Sequence, residues 1–341
     1  MIKWSMERAW RILSIDGGGT RGIIPAIILA SIEERTGKPI SQLFDLIAGT
    51  STGGILSLGL IKPDAAGKPS FSAQDLCDLY EEQIPHIFLN PQSWWGNLLG
   101  PKYRSIAFQR ILKESFGDCM LKDALTDVLI PCYDIEHRKP YIFKSRLAKD
   151  DDEHDLAMKD VALSASSSPT LFYPVRLPKS VRGRQITLVD GGVFANNPSI
   201  YAWSECRSEY ASESEKHFIV SLGTGKSTRP LTDEFLLLWG YVHWSGPMLE
   251  LVMESLSESV HDQILQLQPV TGDQAYYRIQ VDLPETLSMA IDDASPEHMA
   301  TLAEVARKFC SSGPGAKKLQ AMCDRLLSLS CPRLDAPSHS P

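Results

Sequence analysis

Two short apolar runs, each ending in a glycine-rich turn and each followed by an apolar helix, fill residues 11–61. They restrict the chain to very few architectures. Residues 11–15 (RILSI) end at Asp16-Gly17-Gly18-Gly19. The segment 22–36 (GIIPAIILASIEERT) is too long for a strand and stops at Gly37, a good helix terminator. It is apolar on most sides, which predicts a buried helix. Residues 43–48 (LFDLIA) read as a second strand. The turn GTSTGG follows, and then a small-residue helix from Ser51 to about Ile61. Strand, helix, strand, helix is the pattern of a parallel α/β sheet flanked by helices. Further strands are expected at 128–135, 185–190 and 217–222, and helices at 73–84, within 233–268 and as a pair in 294–330. No repeat and no Pro/Gly/Ser linker divides the chain, so one domain is the simpler expectation. In it, residues 231–330 form a helical part packed on residues 8–230. The tail 331–341 reads as disordered.

The formal net charge is −8, from 42 acidic and 34 basic residues. That balance argues against a nucleic-acid polymer as partner, which calls for basic patches. Seven scattered cysteines without a Cys-x-x-Cys pair read as free thiols in a reducing compartment. No apolar leader precedes the first strand, and no run of 18 uncharged apolar residues occurs. The expectation is a cytoplasmic protein whose membrane contact is peripheral. No His/Cys/Asp spacing fits a metal site, and no cofactor is expected.

Three motifs carry chemistry. Gly49-Thr50-Ser51-Thr52-Gly53 is a G-x-S-x-G turn between a strand and a helix, the setting that exposes a strained nucleophilic serine at a sheet edge. The helix that starts there aims its free N–H groups and dipole at the attacked carbonyl oxygen. Gly17-Gly18-Gly19-Thr20-Arg21-Gly22 can gather backbone N–H groups into an anion-binding concavity. It also fits G-x-G-x-x-G, so a nucleotide- or phosphate-binding module is a competing reading. That fingerprint wants an acidic residue after the second strand, where this chain has the serine turn instead. Arg21 is expected to tie the loop down or meet an acidic group. Asp190-Gly191-Gly192 ends the apolar run QITLV. A carboxylate at the C-terminal end of a strand lies on the edge where α/β sites collect.

Together the three motifs resemble the patatin-like phospholipase family, which carries G-G-G-x-[RK]-G, then G-x-S-x-G, then D-G-[AG] in that order. Ser168-Pro169-Thr170, Asn196-Asn197-Pro198 and Ser221-Leu222-Gly223-Thr224-Gly225 extend the likeness over residues 10–230. The resemblance implies a three-layer α/β fold with a central, mostly parallel sheet, and a catalytic domain at 8–230. It also implies a lipid acyl hydrolase with a Ser51–Asp190 dyad. The implied oxyanion donors are the backbone amides of Gly17, Gly18, Gly19 and Thr52. Arg21, Gly22, Gly49, Gly53, Gly191 and Gly192 are the supporting motif residues. The implied partner is a membrane lipid substrate.

Most serine hydrolases use a histidine. His217 is the best placed of the eight for a Ser–Asp–His order, yet it precedes FIVSL at the edge opposite Ser51. Trp94 and Trp95, in an aromatic stretch broken by prolines, are the candidate lid. The apolar spacing within 233–268 fits core packing or a homodimer face. The first 60 residues resemble bacterial cytosolic patatins, some of which look like antiphage effectors activated by a cyclic nucleotide. By that analogy a cyclic dinucleotide is a candidate activator. Lipase activity measured with and without cyclic dinucleotides tests it, and high basal activity with no response counts against it.

Overall fold

The computed structural model describes residues 7–88, 91, 100–210, 216–228, 247–267 and 275–330. Four parallel strands form its centre: β1 (Glu7–Ile15), β2 (Leu46–Gly49), β7 (Lys216–Leu222) and β9 (Tyr276–Ile279). β3 (Asp127–Asp134) extends the sheet parallel to β2. Beyond it the direction reverses. β4 (Lys139–Lys144), β5 (Val175–Arg176) and β6 (Thr187–Asp190) all pair antiparallel. β8 (Lys226–Ser227) and β10 (Asp282–Leu283) make a separate parallel pair, and β11 (Leu329–Ser330) adds to the start of β1. The fold is α/β, with a central, mostly parallel sheet.

The alternation of β1 explains the layers. Leu13 and Ile15 face one apolar cluster, Trp10 and Ile12 the other. The larger cluster lies under α1 (Ile23–Thr36), α2 (Thr52–Ile61), α3 (Ala73–Ile87), α4 (Ile106–Phe116) and α5 (Met158–Ala165). α6 (Ser199–Glu209) and α7 (Pro247–Leu267) cover the smaller. α8 (Pro296–Ser311) and α9 (Gly313–Leu327) follow, and their Leu302, Leu319 and Met322 join the same core as Ile23 and Ile28. Each such side chain stabilises the fold by roughly 1.5–3 kcal/mol when fully buried.

Two expectations change. The strand read at 43–48 begins only at Leu46, because Asp45 is captured by Arg11: the backbone amide and guanidinium of Arg11 both donate to its carboxylate, at 2.6–3.0 Å. Residues Ile40–Leu43 form a short helix instead. The strand ending in Asp190 reaches the site against the parallel direction. Along β3, Leu129 pairs with Ala48 and Lys144, while Cys132 pairs with Tyr141 and Asp190. β4 therefore occupies one side of β3, and β2 and β6 share the other, meeting end to end. The C-terminus of β6 thus points at the turn that follows β2.

Candidate active site

That meeting of strand ends creates the site. Ser51 sits between β2 and α2 with φ 55° and ψ −122°, a conformation that favours glycine. A non-glycine residue there costs on the order of 1–3 kcal/mol and persists where the surroundings over-determine it. They do so here. A Cβ on Gly53 would lie 2.3 Å from the Ile15 carbonyl oxygen, so α2 packs directly onto the end of β1. Gly49 closes against Gly53, Gly22 against Thr52 and Tyr80, and Gly191 against Pro131.

Asp190 is 3% exposed and Ser51 is 7% exposed. Burial pushes the Asp190 carboxyl up to about 6, against the opposing pull of two donors, the Ser51 hydroxyl and the Gly192 amide. The Gly192 amide lies 2.8 Å from Oδ1. The pair therefore holds a serine against a carboxylate whose basicity desolvation has raised.

The glycine-rich loop curls over this pair. Gly19, at φ 59°, lies so near Ile291 that a Cβ would come within 1.9 Å of its carbonyl oxygen. The same oxygen accepts the Thr20 amide at 2.9 Å. Gly17 differs from its sequence-based role as an oxyanion donor, because its amide is committed to the Asn196 carbonyl at 3.0 Å. The Arg21 amide turns back to the Gly18 carbonyl. The amides of Gly18, Gly19 and Thr52 have no acceptor among the described residues. With so few amides open, the loop makes a poor cradle for a pyrophosphate, which needs several. Beneath the loop, Arg278 donates to both oxygens of Asp16 at 2.6 and 2.9 Å. Arg21 is 6% exposed and makes no ion pair within 4.0 Å among the described residues. Its hydrogen-bond contact is to Met289 Sδ at 3.8 Å, while Glu250 and Glu254 offset by charge the downward pull of burial on its guanidinium.

On one side of the loop an apolar cleft opens from Ser51, lined among others by Ile55, Ile87, Phe88, Phe108, Phe172 and Ile291. A second cavity is bounded by Asp16, Asn196, Thr224, Met253 and Ser257. Neither Ile291 nor Arg278 carries a motif, and nothing in the sequence marks them. The candidate lid residues Trp94 and Trp95 lie outside the described residues.

His217 stands second in β7, paired with Trp10, while Ser51 lies beyond the other end, where Leu222 pairs with Ile15. Five residues of strand put about 16 Å between these ends. The His217 ring packs edge-on against Trp203, with centroids 6.4 Å apart. His217→Ala is expected to keep hydrolysis of a soluble short-chain ester within about threefold of wild type, the scale of a change distant from the chemistry. Near-complete loss would put an imidazole in the relay. Among the described residues, no group of three His, Cys, Asp or Glu could hold a metal ion. No described helix is long and apolar enough to cross a membrane.

The chain is similar to known proteins over most of its length. The family model described as patatin-like phospholipase matches residues 13–203. Patatin-like protein 2 of Arabidopsis thaliana is 32% identical, over 92% of this chain and 86% of its own length. Patatin-like protein 2 of Oryza sativa subsp. indica is 34% identical, over 86% and 82%. Patatin group A-2 of Solanum tuberosum is 33% identical, over 88% and 84%.

Proposed function

This chain belongs to the patatin-like phospholipase family, and on that premise we propose that it is a serine lipid acyl hydrolase working through Ser51 and Asp190. The observation that carries the reading is the buried Ser51 hydroxyl facing the Asp190 carboxylate, whose basicity burial has raised. Ser51 Oγ attacks the ester carbonyl and its proton passes to Asp190. The amides of Gly18, Gly19 and Thr52 are the oxyanion donors, Thr52 at the positive end of α2. Collapse of the tetrahedral intermediate expels the alcohol, which takes the proton from Asp190. Water then attacks the acyl-enzyme, loses its proton to Asp190, and the fatty acid leaves as Ser51 is reprotonated. The apolar cleft suits an acyl chain, and a membrane lipid is the substrate class it supports. Activation by a cyclic dinucleotide and a part in antiphage defence are separate proposals that rest on resemblance to bacterial members, tested by the paired activity assay above.

Fluorophosphonate labelling tests the assignment. The expected result is one adduct on the peptide containing Ser51, absent in Ser51→Ala. Labelling at another residue, or none under any condition, overturns it.

A further inference from the structure

We propose that the side-chain oxygen of Asn196 holds the hydrolytic water that releases the acyl group, a role that rests on the Ser51–Asp190 reading. The two asparagines of Asn196-Asn197-Pro198 have opposite fates. Asn197 is bonded at both ends: its Oδ1 accepts from Ser14 Oγ and from the amide and hydroxyl of Ser199, and its Nδ2 donates to the Ser257 carbonyl. Asn196, 5% exposed, is bonded at one end only. Its Nδ2 donates to Ser257 Oγ at 2.9 Å and to the Gly17 carbonyl at 3.5 Å. A carbonyl only accepts, so this contact fixes which end of the amide faces Gly17 O. Its Oδ1 is buried and accepts nothing from any described residue. A buried acceptor without a donor is costly and calls for an explanation.

The location supplies one. Asn196 Oδ1 and Ser51 Cβ both lie within 3.2 Å of the point where a Cβ on Gly17 would sit. Asn196 Oδ1 and Asp190 Oδ1 both lie within 3.5 Å of the corresponding point at Gly192. The orphan oxygen therefore faces the catalytic pair, in space left by two glycines that have no side chain. A water attacking the acyl carbon loses one proton to Asp190 and needs an acceptor for its other O–H. The oxygen of Asn196 is that acceptor. The new carbon–oxygen bond forms as the Ser51 ester bond breaks, and the proton taken up by Asp190 returns to Ser51 Oγ. Asn196 also borders the second cavity, which shares no lining residue with the acyl cleft.

The test separates acylation from deacylation. The enzyme is loaded with a p-nitrophenyl ester, nitrophenolate release gives the loading rate, and intact mass follows loss of the acyl adduct. Asn196→Ala is expected to load within about threefold of wild type and to lose the adduct about tenfold more slowly or worse, the scale of one hydrogen bond in a transition state. Asn196→Asp keeps the shape and an acceptor, and serves if the alanine variant does not fold. Its second carboxylate beside Asp190 is expected to move the acid limb of adduct loss to higher pH. Loading and loss falling together, unchanged loss, or an unmoved acid limb would each overturn the water site while leaving the dyad intact. A wild-type protein that never forms a Ser51 adduct overturns the dyad and this proposal with it.

Discussion

Ser51→Ala should reduce ester hydrolysis by at least about 10⁴-fold, measured as kcat on a soluble short-chain ester. Removal of a nucleophile from a constellation that acts as a unit costs nearly all the chemistry, and the surviving rate reflects the oxyanion donors and binding alone. The backbone makes a second, sharper expectation. Serine and alanine are equally ill-suited to φ 55°, so Ser51→Ala changes stability only through loss of the hydroxyl beside Asp190. Ser51→Gly loses the same hydroxyl but removes the clash at this backbone angle, and should melt above Ser51→Ala by the equivalent of about 1 kcal/mol. An inactive glycine variant less stable than the alanine one would mean that the turn is not strained.

Asp190→Asn should lower kcat/KM by roughly 10²–10⁴-fold, the range for loss of a positioned general base. The wild-type profile should fall on the acid side with a midpoint near the carboxyl's own value of about 6, because the base works only when ionised. Stability should move the opposite way. The folded carboxyl binds its proton more tightly than the unfolded one, whose value is 3.8. The native state therefore holds the extra proton between those values, and stability falls as pH rises through that window. At pH 7.5 the ionised group costs on the order of 3 kcal/mol relative to its protonated form. Asp190→Asn should accordingly unfold at a higher temperature than wild type at pH 7.5, with the gap closing below pH 4. A variant less stable than wild type at pH 7.5 would remove the desolvation argument for a lone aspartate base.

Much of the site was legible because it is made of short-range geometry. Ser51, the glycines around it and the helix that follows must be contiguous for the turn to close, so a few residues of sequence carry the whole device. Asp190 was legible by motif but not by path. The text QITLVD does not say that its strand runs against the parallel strands and meets β2 end to end, since direction is set by β3 and β4. Arg21 was expected to tie down the loop or meet an acidic group; it makes no ion pair within 4.0 Å among the described residues, and Glu250 and Glu254 act on it by charge from farther off. What holds the loop from below is Arg278, 262 positions from Asp16 in the chain. Ile291 escapes detection for another reason, since it holds the loop by a main-chain carbonyl, which every residue type possesses. In the charged run at 149–155, Lys149 and Asp150 end a short helix, and Asp155 is buried and paired with Lys122.

The contacts of Arg278 and Ile291 also bear on where this protein can be cut. The stretch that matches the family, 13–203, ends before either residue. A fragment with that boundary would bury Asp16 without its cation, and loss of one partner of such a pair typically costs 3–5 kcal/mol. It would also leave the Thr20 amide without an acceptor and expose the edge of β1 that pairs with β7 and the face of α1 that α8 covers. Against a total stability of roughly 5–15 kcal/mol, such a fragment has little prospect of folding. The recognisable stretch and the heritable folding unit therefore differ in extent. Any recombination that exchanges the last third of this chain must bring along a replacement for the arginine and the carbonyl, or the motifs will survive without the catalyst.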